Sequence, residues 1–357
     1  MSFKQLSIFL LFICITFMVL TCKKEPTVVP PPISGLDTTS HNFTWTTYTI
    51  GGSGGSSYFK DVAIVSDTDI WTVGAIYASA DTMYNAVHWD GTKWQLKDIP
   101  FIGSCSAVLY PPLQGIWVFG HNNILFTNGG SVVHFDGIKA EMDCGMNSLL
   151  PGAINKILAI TPENIYVVGN GGTMVHYDGS TWTKQLSGTT IDLRDVWGSS
   201  NGSIVWASGY SDDNSQSVLL MYNGTQWKTI WTRQGGVTHP YGDLVTSVWG
   251  IKHLFTATNL GVYTQDITGI DTARQSLSID HFPYRIRGSA ENNVAVVGDF
   301  GMIWHYNQTD WKLLNETNLD QPFYSVAVST TMIVAVGSDY TIFPSQALIY
   351  LGKRNSD

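Results

Sequence analysis

A short apolar run that ends in glycine recurs along this chain, and this repeat constrains the fold more than any other feature. Six copies match closely, at residues 70–74, 116–120, 165–169, 205–209, 294–298 and 333–337, and a degenerate seventh is at 254–258. A second apolar segment precedes each run, centred on Val62, Val108, Ile157, Val196, Val248, Ile286 and Val326. Self-similarity at a fixed period is typical of a repeated supersecondary unit.

A second motif follows most of these runs. An aromatic residue is followed by Asp or Asn, usually by Gly, and by Trp five positions after the aromatic, as in Trp89-Asp90-Gly91 with Trp94. Asp-Gly and Asn-Gly supply the positive φ angles that hairpin turns need. Each repeat therefore contains four strands, and residues 44–354 divide into seven units of about 44 residues, the size of a propeller blade. We predict an all-β, seven-bladed β-propeller, with six or eight blades as alternatives.

The two ends of the repeat region complement each other. Residues 44–50 form an isolated strand-like segment before the first repeat, and the last repeat ends at 350–352 with no outer strand after it. We expect the N-terminal strand to complete the last blade, because closing the ring removes open sheet edges.

The first residues have the pattern of an export signal. Residues 8–20 are almost wholly apolar but too short for a comfortable membrane span. The run ends at Cys22 in a sequence that resembles the lipobox of bacterial lipoproteins, in which this cysteine carries the lipid. A proline-rich stretch follows, typical of an extended tether. The predicted organisation is a signal peptide at 1–21, lipidated Cys22 with a tether to residue 43, and one propeller domain at 44–354. The resemblance implies the outer membrane of a Gram-negative cell, with the lipid as the only membrane contact.

Two cysteines remain for the folded domain. In an exported protein, Cys105 and Cys144 are candidates for a disulfide, since oxidising compartments preserve such bonds. Two separate buried thiols are the alternative, because spacing alone cannot bring their Cα atoms within reach.

The charge balance excludes one class of partner. Lys and Arg total 19 against 28 Asp and Glu, for a net charge of −9. An acidic surface repels phosphate, so we expect no nucleic-acid partner. We also expect no cofactor, no metal and a monomeric protein.

The repeats resemble those of bacterial propellers with the pattern V-W-G-S, V-x-x-V-G and G-T-x-x-H-Y-D-G-x-x-W, here in residues 195–199 and 170–182. The turn is similar to the sialidase Asp-box, although Asp and Gly are adjacent here. The repeats are more distantly similar to photosystem assembly-factor propellers, which act as binding scaffolds. These resemblances imply the architecture and do not specify an activity.

Catalytic motifs give little support for an enzyme. The recurring His88, His134, His176 and His305 precede the third-strand aromatic of their own repeats, so we expect packing and hydrogen bonding rather than a shared metal. Arginines do not recur at inner-strand positions in the pattern that a sialidase needs, and Arg285 and Arg287 are the only close pair. Carboxylates and arginines that converge in the channel mouth would favour an enzyme.

Irregular loops are the candidate binding residues, because extra length in a propeller collects in loops. The loops between second and third strands span 75–85, 121–130 and 210–217, and a long connection spans 232–243. We expect these loops on one face, where the channel opens. Their candidate residues are Tyr77, Asp81, Tyr84, His121, Tyr210, Asp212, Asp213, His239 and Tyr241.

The sequence favours a non-catalytic envelope lipoprotein that binds a protein or glycan partner through this face. An extracellular carbohydrate-active enzyme, sialidase-like or lyase-like, is one alternative. An outer-membrane assembly scaffold is the other.

Overall fold

Backbone pairing arranges the chain as antiparallel sheets. The computed structural model describes residues 38–103, 106–233, 241–314 and 320–356, with only the backbone described at 102–103 and 106–108. These residues form seven four-stranded sheets and one two-stranded sheet. The predicted seven-bladed β-propeller is therefore confirmed, and six or eight blades are excluded. The predicted leader, Cys22, most of the tether, Cys105 and His239 lie outside the described residues.

The first half of the domain contains the N-terminal strand, which belongs to the last blade, followed by three blades and one extra hairpin. Strand β1 is Phe43–Ile50. Blade 1 comprises β2 (Tyr58–Ser66), β3 (Asp69–Ser79), β4 (Thr82–Trp89) and β5 (Trp94–Lys97). The extra hairpin comprises β6 (Phe101–Gly103) and β7 (Ser106–Leu109). Blade 2 comprises β8 (Gly115–Gly120), β9 (Asn123–Thr127), β10 (Val132–Phe135) and β11 (Ala140–Asp143). Blade 3 comprises β12 (Ile154–Thr161), β13 (Asn164–Gly169), β14 (Thr173–Tyr177) and β15 (Trp182–Lys184).

The second half contains the other four blades. Blade 4 comprises β16 (Leu193–Gly198), β17 (Val205–Tyr210), β18 (Ser217–Tyr222) and β19 (Trp227–Thr232). Blade 5 comprises β20 (Val245–Gly250), β21 (His253–Thr258), β22 (Gly261–Asp266) and β23 (Arg274–Ser278). Blade 6 comprises β24 (Pro283–Ala290), β25 (Asn293–Gly298), β26 (Ile303–Tyr306) and β27 (Trp311–Leu313). Blade 7 comprises β28 (Phe323–Val328), β29 (Met332–Asp339), β30 (Gln346–Arg354) and β1. Short 3-10 helices are at Asn147–Leu149, Asn170–Gly172 and Asp299–Gly301.

The ring is closed by the N-terminal strand, as predicted. Strand β1 pairs antiparallel with β30 over its whole length, from Phe43 opposite Arg354 to Ile50 opposite Ala347. At the centre, the innermost strands of neighbouring blades contact one another, and β28 contacts β2. Closure leaves the last blade with the same four-stranded sheet as the others.

The third-to-outer turns explain the aromatic-Asp-Gly motif. The Asp90 carboxylate accepts hydrogen bonds from the backbone N–H groups of Thr92 and Lys93, each at 2.9 Å. Gly91 has φ of 94°, a left-handed conformation that glycine adopts at little cost. Asp136 and Asp178 accept the same backbone bonds in blades 2 and 3. These aspartates are turn formers, as expected.

The core is divided among the gaps between blades. Each apolar cluster joins residues of two adjacent blades, as where Trp71 of blade 1 packs near Phe126 and Phe135 of blade 2. The apolar centres Val62, Ile157 and Val196 are buried, as expected for inner strands. Burial of this kind fixes the positions of the seven inner strands that line the channel.

The strands of blade 2 differ from the strands that the repeat predicted. Residues 116–120 belong to the innermost strand β8 rather than to a second strand, and Val108 lies in the β6–β7 hairpin rather than in an inner strand. The second strand is β9, which ends at Thr127 instead of glycine. The predicted second-to-third-strand loop at 121–130 is therefore wrong, since it spans a turn, a whole strand and the next turn.

Candidate functional site

The propeller has two different faces. The inner strands begin at one face, named here the loop face, which carries the second-to-third-strand loops and the connections between blades. The opposite face, named the turn face, carries the first-to-second-strand and third-to-outer-strand turns. The same chain direction in every blade places the start of all seven inner strands together, at the loop-face mouth of the channel.

Six inner strands have a β-bulge close to this mouth. The register of each shifts by one residue, so that one residue of the inner strand has no partner opposite it, as Lys60 does between Phe59 and Asp61. The bulged residues of the six strands are Lys60, Asn155, Arg194, Thr246, Tyr284 and Tyr324. Bulges re-aim side chains at barrel rims and functional sites.

In five of the six blades, the repeated glycine of the second strand lies opposite the bulge, and in blade 5 the equivalent residue is Thr258. A Cβ on Gly74 would lie 2.0 Å from the carbonyl oxygen of Tyr58, and one on Gly337 would lie 1.9 Å from that of Pro322. The second strand therefore needs glycine where the inner strand approaches it most closely. In blades 1, 3, 4, 6 and 7, the run that ends in glycine is therefore a sequence signal for a bulge two residues before the apolar centre of the inner strand.

The bulged residues line a cavity of about 210 Å³, named here the mouth cavity. Its lining is Lys60, Gln114, Asn155, Arg194, Tyr210, Thr246, Tyr284, Arg285 and Tyr324. The Lys60 Nζ atom lies 5.4 Å from the centre of the Tyr324 ring and 5.2 Å from that of Tyr58. Partial burial and the Arg194 charge lower the pKa of Lys60. The cavity is thus cationic and aromatic.

A buried ion network lies directly below the mouth cavity. The Asp61 carboxylate pairs with Lys156, accepts from Ser325 Oγ at 2.7 Å and accepts from the Ile116 N–H at 3.1 Å. Burial opposes the ionisation of Asp61, but the charges of Lys156 and Arg285 outweigh it and lower its pKa. Burial, only partly offset by Asp61, lowers the pKa of Lys156 to about 8.

The second half of the network is centred on Asp195. Its Oδ1 lies 2.6 Å from a terminal nitrogen of both Arg285 and Arg287, and its Oδ2 lies 2.8 Å from Arg287 Nη1. Oδ2 also accepts from Ser247 Oγ and from the Val248 N–H, the latter at 3.0 Å. Burial alone would raise the pKa of Asp195, but the two guanidinium charges outweigh it and lower the pKa. Arg285 and Arg287, the close pair of the sequence on inner strand β24, therefore converge on Asp195 of inner strand β16 in the channel.

Aromatic rings line the turn-face mouth of the channel, at a second cavity of about 170 Å³ whose lining includes Trp117, Trp197, Lys156 and Arg287. The Trp197 ring centre lies 5.6 Å from that of Trp117 and 6.2 Å from that of Trp249. The Arg287 guanidinium lies 5.1 Å from the Trp197 ring. The loop-face end differs in that its cavity includes the exposed Lys60, whereas Lys156 and Arg287 at the turn-face end are buried.

The predicted loop residues do not form one site. Tyr210 lines the mouth cavity, and Asp212 pairs with Arg194 at its rim. Tyr77 and Tyr84 lie in the β3–β4 hairpin, which is paired almost to its tip at Asp81, so the predicted loop at 75–85 is mostly strand. Asp213 folds back on its own turn through Ser211 and Ser215.

Two predicted residues are placed elsewhere. His121 is on the turn face, where its Nδ1 lies 2.6 Å from Asp69 Oδ2, so its assignment to the loop face is wrong. Tyr241 is buried, only 7% exposed, and its hydroxyl donates to Gln265. Cys144 is disulfide-bonded, while its predicted partner Cys105 lies outside the described residues, so that pairing stays a prediction.

The recurring histidines have a structural role in their own blades. The Nε2 atoms of His88, His134, His176 and His305 lie 2.8–2.9 Å from the Asp or Asn side chain that begins the second strand. In the part of the chain that the structure describes, no group of three His, Cys, Asp or Glu could hold a metal ion. The same residues include no helix that is long and apolar enough to cross a membrane.

A larger groove of about 910 Å³ runs between blades 3 and 4 on the loop face, and it is named here the blade 3–4 groove. Its lining includes Gly171, Leu186, Gly188, Thr229 and Arg233. Asp192 links this groove to the mouth cavity, since its Oδ1 accepts from the Gly171 N–H at 2.8 Å and its Oδ2 lies 3.4 Å from Arg194 Nη2. The two concavities are therefore neighbours.

Exposed apolar side chains lie on both faces, since Ile270, at a third-to-outer turn on the turn face, is 87% exposed. Phe343 is 93% exposed in the β29–β30 loop and Leu186 is 86% exposed at the blade 3–4 groove. Phe300, in the tight turn between β25 and β26, has φ of 56° and is also exposed. On the turn face, Ile138 is 94% exposed at a third-to-outer turn.

Comparison with known proteins supports the fold alone. The chain matches no protein-family model and no curated protein sequence. Among solved structures, it resembles YCF48 bound to D1 peptide, with a TM-score of 0.59 and 14% identity over 87% of this chain and 96% of that one. It also resembles the WD40 β-propeller domain of Doa1, with a TM-score of 0.61 and 13% identity over 87% and 98%. YCF48 from Cyanidioschyzon merolae aligns with a TM-score of 0.58 and 10% identity over 86% and 98%. The chain thus shares the β-propeller architecture of these proteins.

Proposed function

We propose that this protein is a non-catalytic binding scaffold of the cell envelope, which holds an extended segment of a partner protein on its loop face. The observation that carries the proposal is the grouping on that face of the mouth cavity, the blade 3–4 groove and the exposed Phe343 and Leu186. Apolar anchors beside a polar concavity are typical of protein-binding sites.

The comparison with YCF48 supports a polypeptide partner. That propeller has been solved bound to a peptide. The likeness to this chain is one of fold, which does not specify a ligand, so the choice of a polypeptide rests on the concavities and apolar anchors of the loop face together with this precedent. A glycan partner is less favoured, because the repeated tryptophans Trp89, Trp94 and Trp227 pack between adjacent blades.

We expect replacement of Phe343 by serine to weaken capture of the partner by about tenfold, because a loop-face anchor would lose its apolar contact. The measurement is affinity capture from envelope extracts with the full-length chain, quantified by mass spectrometry. Ile138→Ser is the matched control, since Ile138 is equally exposed on the turn face. Equal losses with both variants, or no loss with either, would contradict a loop-face partner.

The envelope location rests on the sequence of the leader. Cys22→Ala should release the protein from the membrane fraction, because one or more acyl chains would supply the anchor. The measurement is fractionation of cells that express the full chain. Retention of the variant in the membrane would contradict lipid anchoring at this residue. If the captured partner is an outer-membrane complex, the scaffold acts in envelope assembly.

A carbohydrate-active enzyme is the second candidate, because carboxylates and arginines do converge in the channel. However, Asp61 and Asp195 are buried and saturated by ion pairs, so neither can supply a proton at neutral pH. Among the described residues near the mouth cavity, Asp299 is the acid whose pKa is raised by burial, and it interacts with Tyr284. Hydrolysis of a chromogenic glycoside by the purified protein would support the enzyme and contradict a non-catalytic scaffold.

A further inference from the structure

Lys60 differs from every other cation of the channel. Lys156 pairs with Asp61, Arg285 and Arg287 pair with Asp195, and Arg194 pairs with Asp192 and Asp212. Lys60 has no hydrogen bond or ion pair with any described residue, although it lines the mouth cavity. Its ammonium group is exposed to the cavity and presents three donors there.

The charge of the channel favours an anion at this position. The described residues that line it carry five cations and two carboxylates, namely Lys60, Lys156, Arg194, Arg285 and Arg287 against Asp61 and Asp195. Three further acids lie at the rim, of which Asp192 and Asp212 bind Arg194, and Asp299 interacts with Tyr284. Cations and acids are thus equal in number, and Lys60 is the cation that no described acid pairs with, so an anion is favoured beside Lys60 itself, even in a protein whose net charge is −9.

The shape of the cavity limits the size of the anion. Its volume of about 210 Å³ is below the roughly 300–1,000 Å³ of pockets for drug-sized ligands. Tyr210, Tyr284 and Tyr324 form aromatic walls around Lys60 and Arg194. A single acidic group and a few attached atoms fit such a space.

We infer that the mouth cavity binds a carboxylate of the partner polypeptide, with Lys60 as its counter-ion. The inference rests on the proposed function and deepens it. The carboxylate would relieve the repulsion between Lys60 and Arg194 and would receive charge-assisted hydrogen bonds from Lys60. Because Asp192 joins the mouth cavity to the blade 3–4 groove, a segment lying in the groove would present its acidic group to Lys60.

A polypeptide has two kinds of carboxylate, the one at its C-terminus and those in the side chains of Asp and Glu, and the experiment distinguishes them. The test uses immobilised full-length protein and a library of random heptapeptides, synthesised once with free C-terminal acids and once with C-terminal amides. The most strongly retained peptides are then made individually, with their Asp and Glu also changed to Asn and Gln. Dissociation constants are measured by calorimetry.

Lys60→Met should weaken binding of these peptides by about tenfold, and Lys60→Arg should retain it. Neutralising the carboxylate should weaken binding to the wild-type protein but make little difference to Lys60→Met, since the two changes remove the same interaction. Lys312→Met, on the exposed side of an outer strand, is the control and should bind as the wild type does. Melting temperatures establish that each variant folds.

The outcomes of the peptide-binding experiment distinguish the two sources of the carboxylate and test the inference itself. Loss of binding on amidation supports a C-terminal carboxylate, and loss on changing Asp or Glu supports a side-chain carboxylate. Peptides that bind equally well without a carboxylate, or equally well to Lys60→Met, would overturn the inference and leave the scaffold proposal standing. Retention of no peptide from either library would overturn both.

Discussion

Asp195→Ala should destabilise the propeller by about 3–5 kcal/mol, because it leaves two buried guanidinium groups without their counter-ion. Asp195 is fully buried and joins β16 to β20 and β24, through Ser247, Val248, Arg285 and Arg287. The loss corresponds to a fall in Tm on the order of 10 °C, measured by calorimetry or circular dichroism. The network therefore contributes to holding three blades in position around the channel.

Two variants separate this cause from a general effect of mutation. Adding Arg287→Met to Asp195→Ala should recover part of the lost stability, because it removes one of the two unpaired buried charges. Asp81→Ala, at an exposed hairpin tip, should change the Tm by little. A double variant less stable than Asp195→Ala alone would contradict the electrostatic explanation.

The pH dependence of stability follows from the same carboxylates. The pKa values of Asp61 and Asp195 are lowered in the folded state, so the stabilisation they provide is present above the unfolded pKa of about 4. It is lost as the pH falls through the lower folded values. Asp195→Ala should therefore differ most from the wild type near neutral pH and less in acid.

The repeat predicted the number of blades and the strands of six of them, because these depend on local signals, and the two incomplete ends of the repeat region predicted the closing strand. Asp90-Gly91 forces a turn within one blade, and the unpaired end at 350–352 calls for a partner strand. Such signals act over a few residues and can be read directly in a sequence.

Blade 2 was misaligned because an inner strand can imitate a second strand. Residues 116–120 have the same apolar run and final glycine as true second strands, and the β6–β7 hairpin supplies an apolar segment at the expected distance before it. This misalignment is the reason that His121 was predicted on the loop face, whereas it lies on the turn face. The true second strand β9 lacks the glycine, as does β21 in blade 5.

The charged channel was missed because its members lie on different blades, far apart in sequence. Asp61 and Lys156 meet across 95 positions, and Asp195 and Arg287 across 92. A signal was nevertheless present, since Asp61, Lys156, Asp195 and Arg285 each come directly before the buried apolar centre of an inner strand. A charge at such a position needs a partner, and only the closed ring supplies it.

Deleting residues 44–50 should abolish the cooperative unfolding transition of the native propeller or lower its Tm by more than Asp195→Ala does. The deletion removes all but one residue of β1 and leaves β30 as an open edge across the last blade. It also removes the Trp45 ring, stacked 4.6 Å from that of Tyr350, and exposes apolar surface that Tyr48 and Ile50 cover. An unpaired strand of this length promotes aggregation.

Two point variants test closure without removing backbone. Trp45→Ala should cost about 2–3 kcal/mol, less than a fully buried tryptophan, because the ring is only half-buried against Tyr350 and Gly352. Thr47→Ala, exposed on the same strand, should cost less than about 1 kcal/mol and is the matched control. Urea denaturation of the full-length variants measures both values. A deletion variant with an unchanged Tm would show that the ring is stable open, and the pairing of β1 with β30 would then contribute little to the fold.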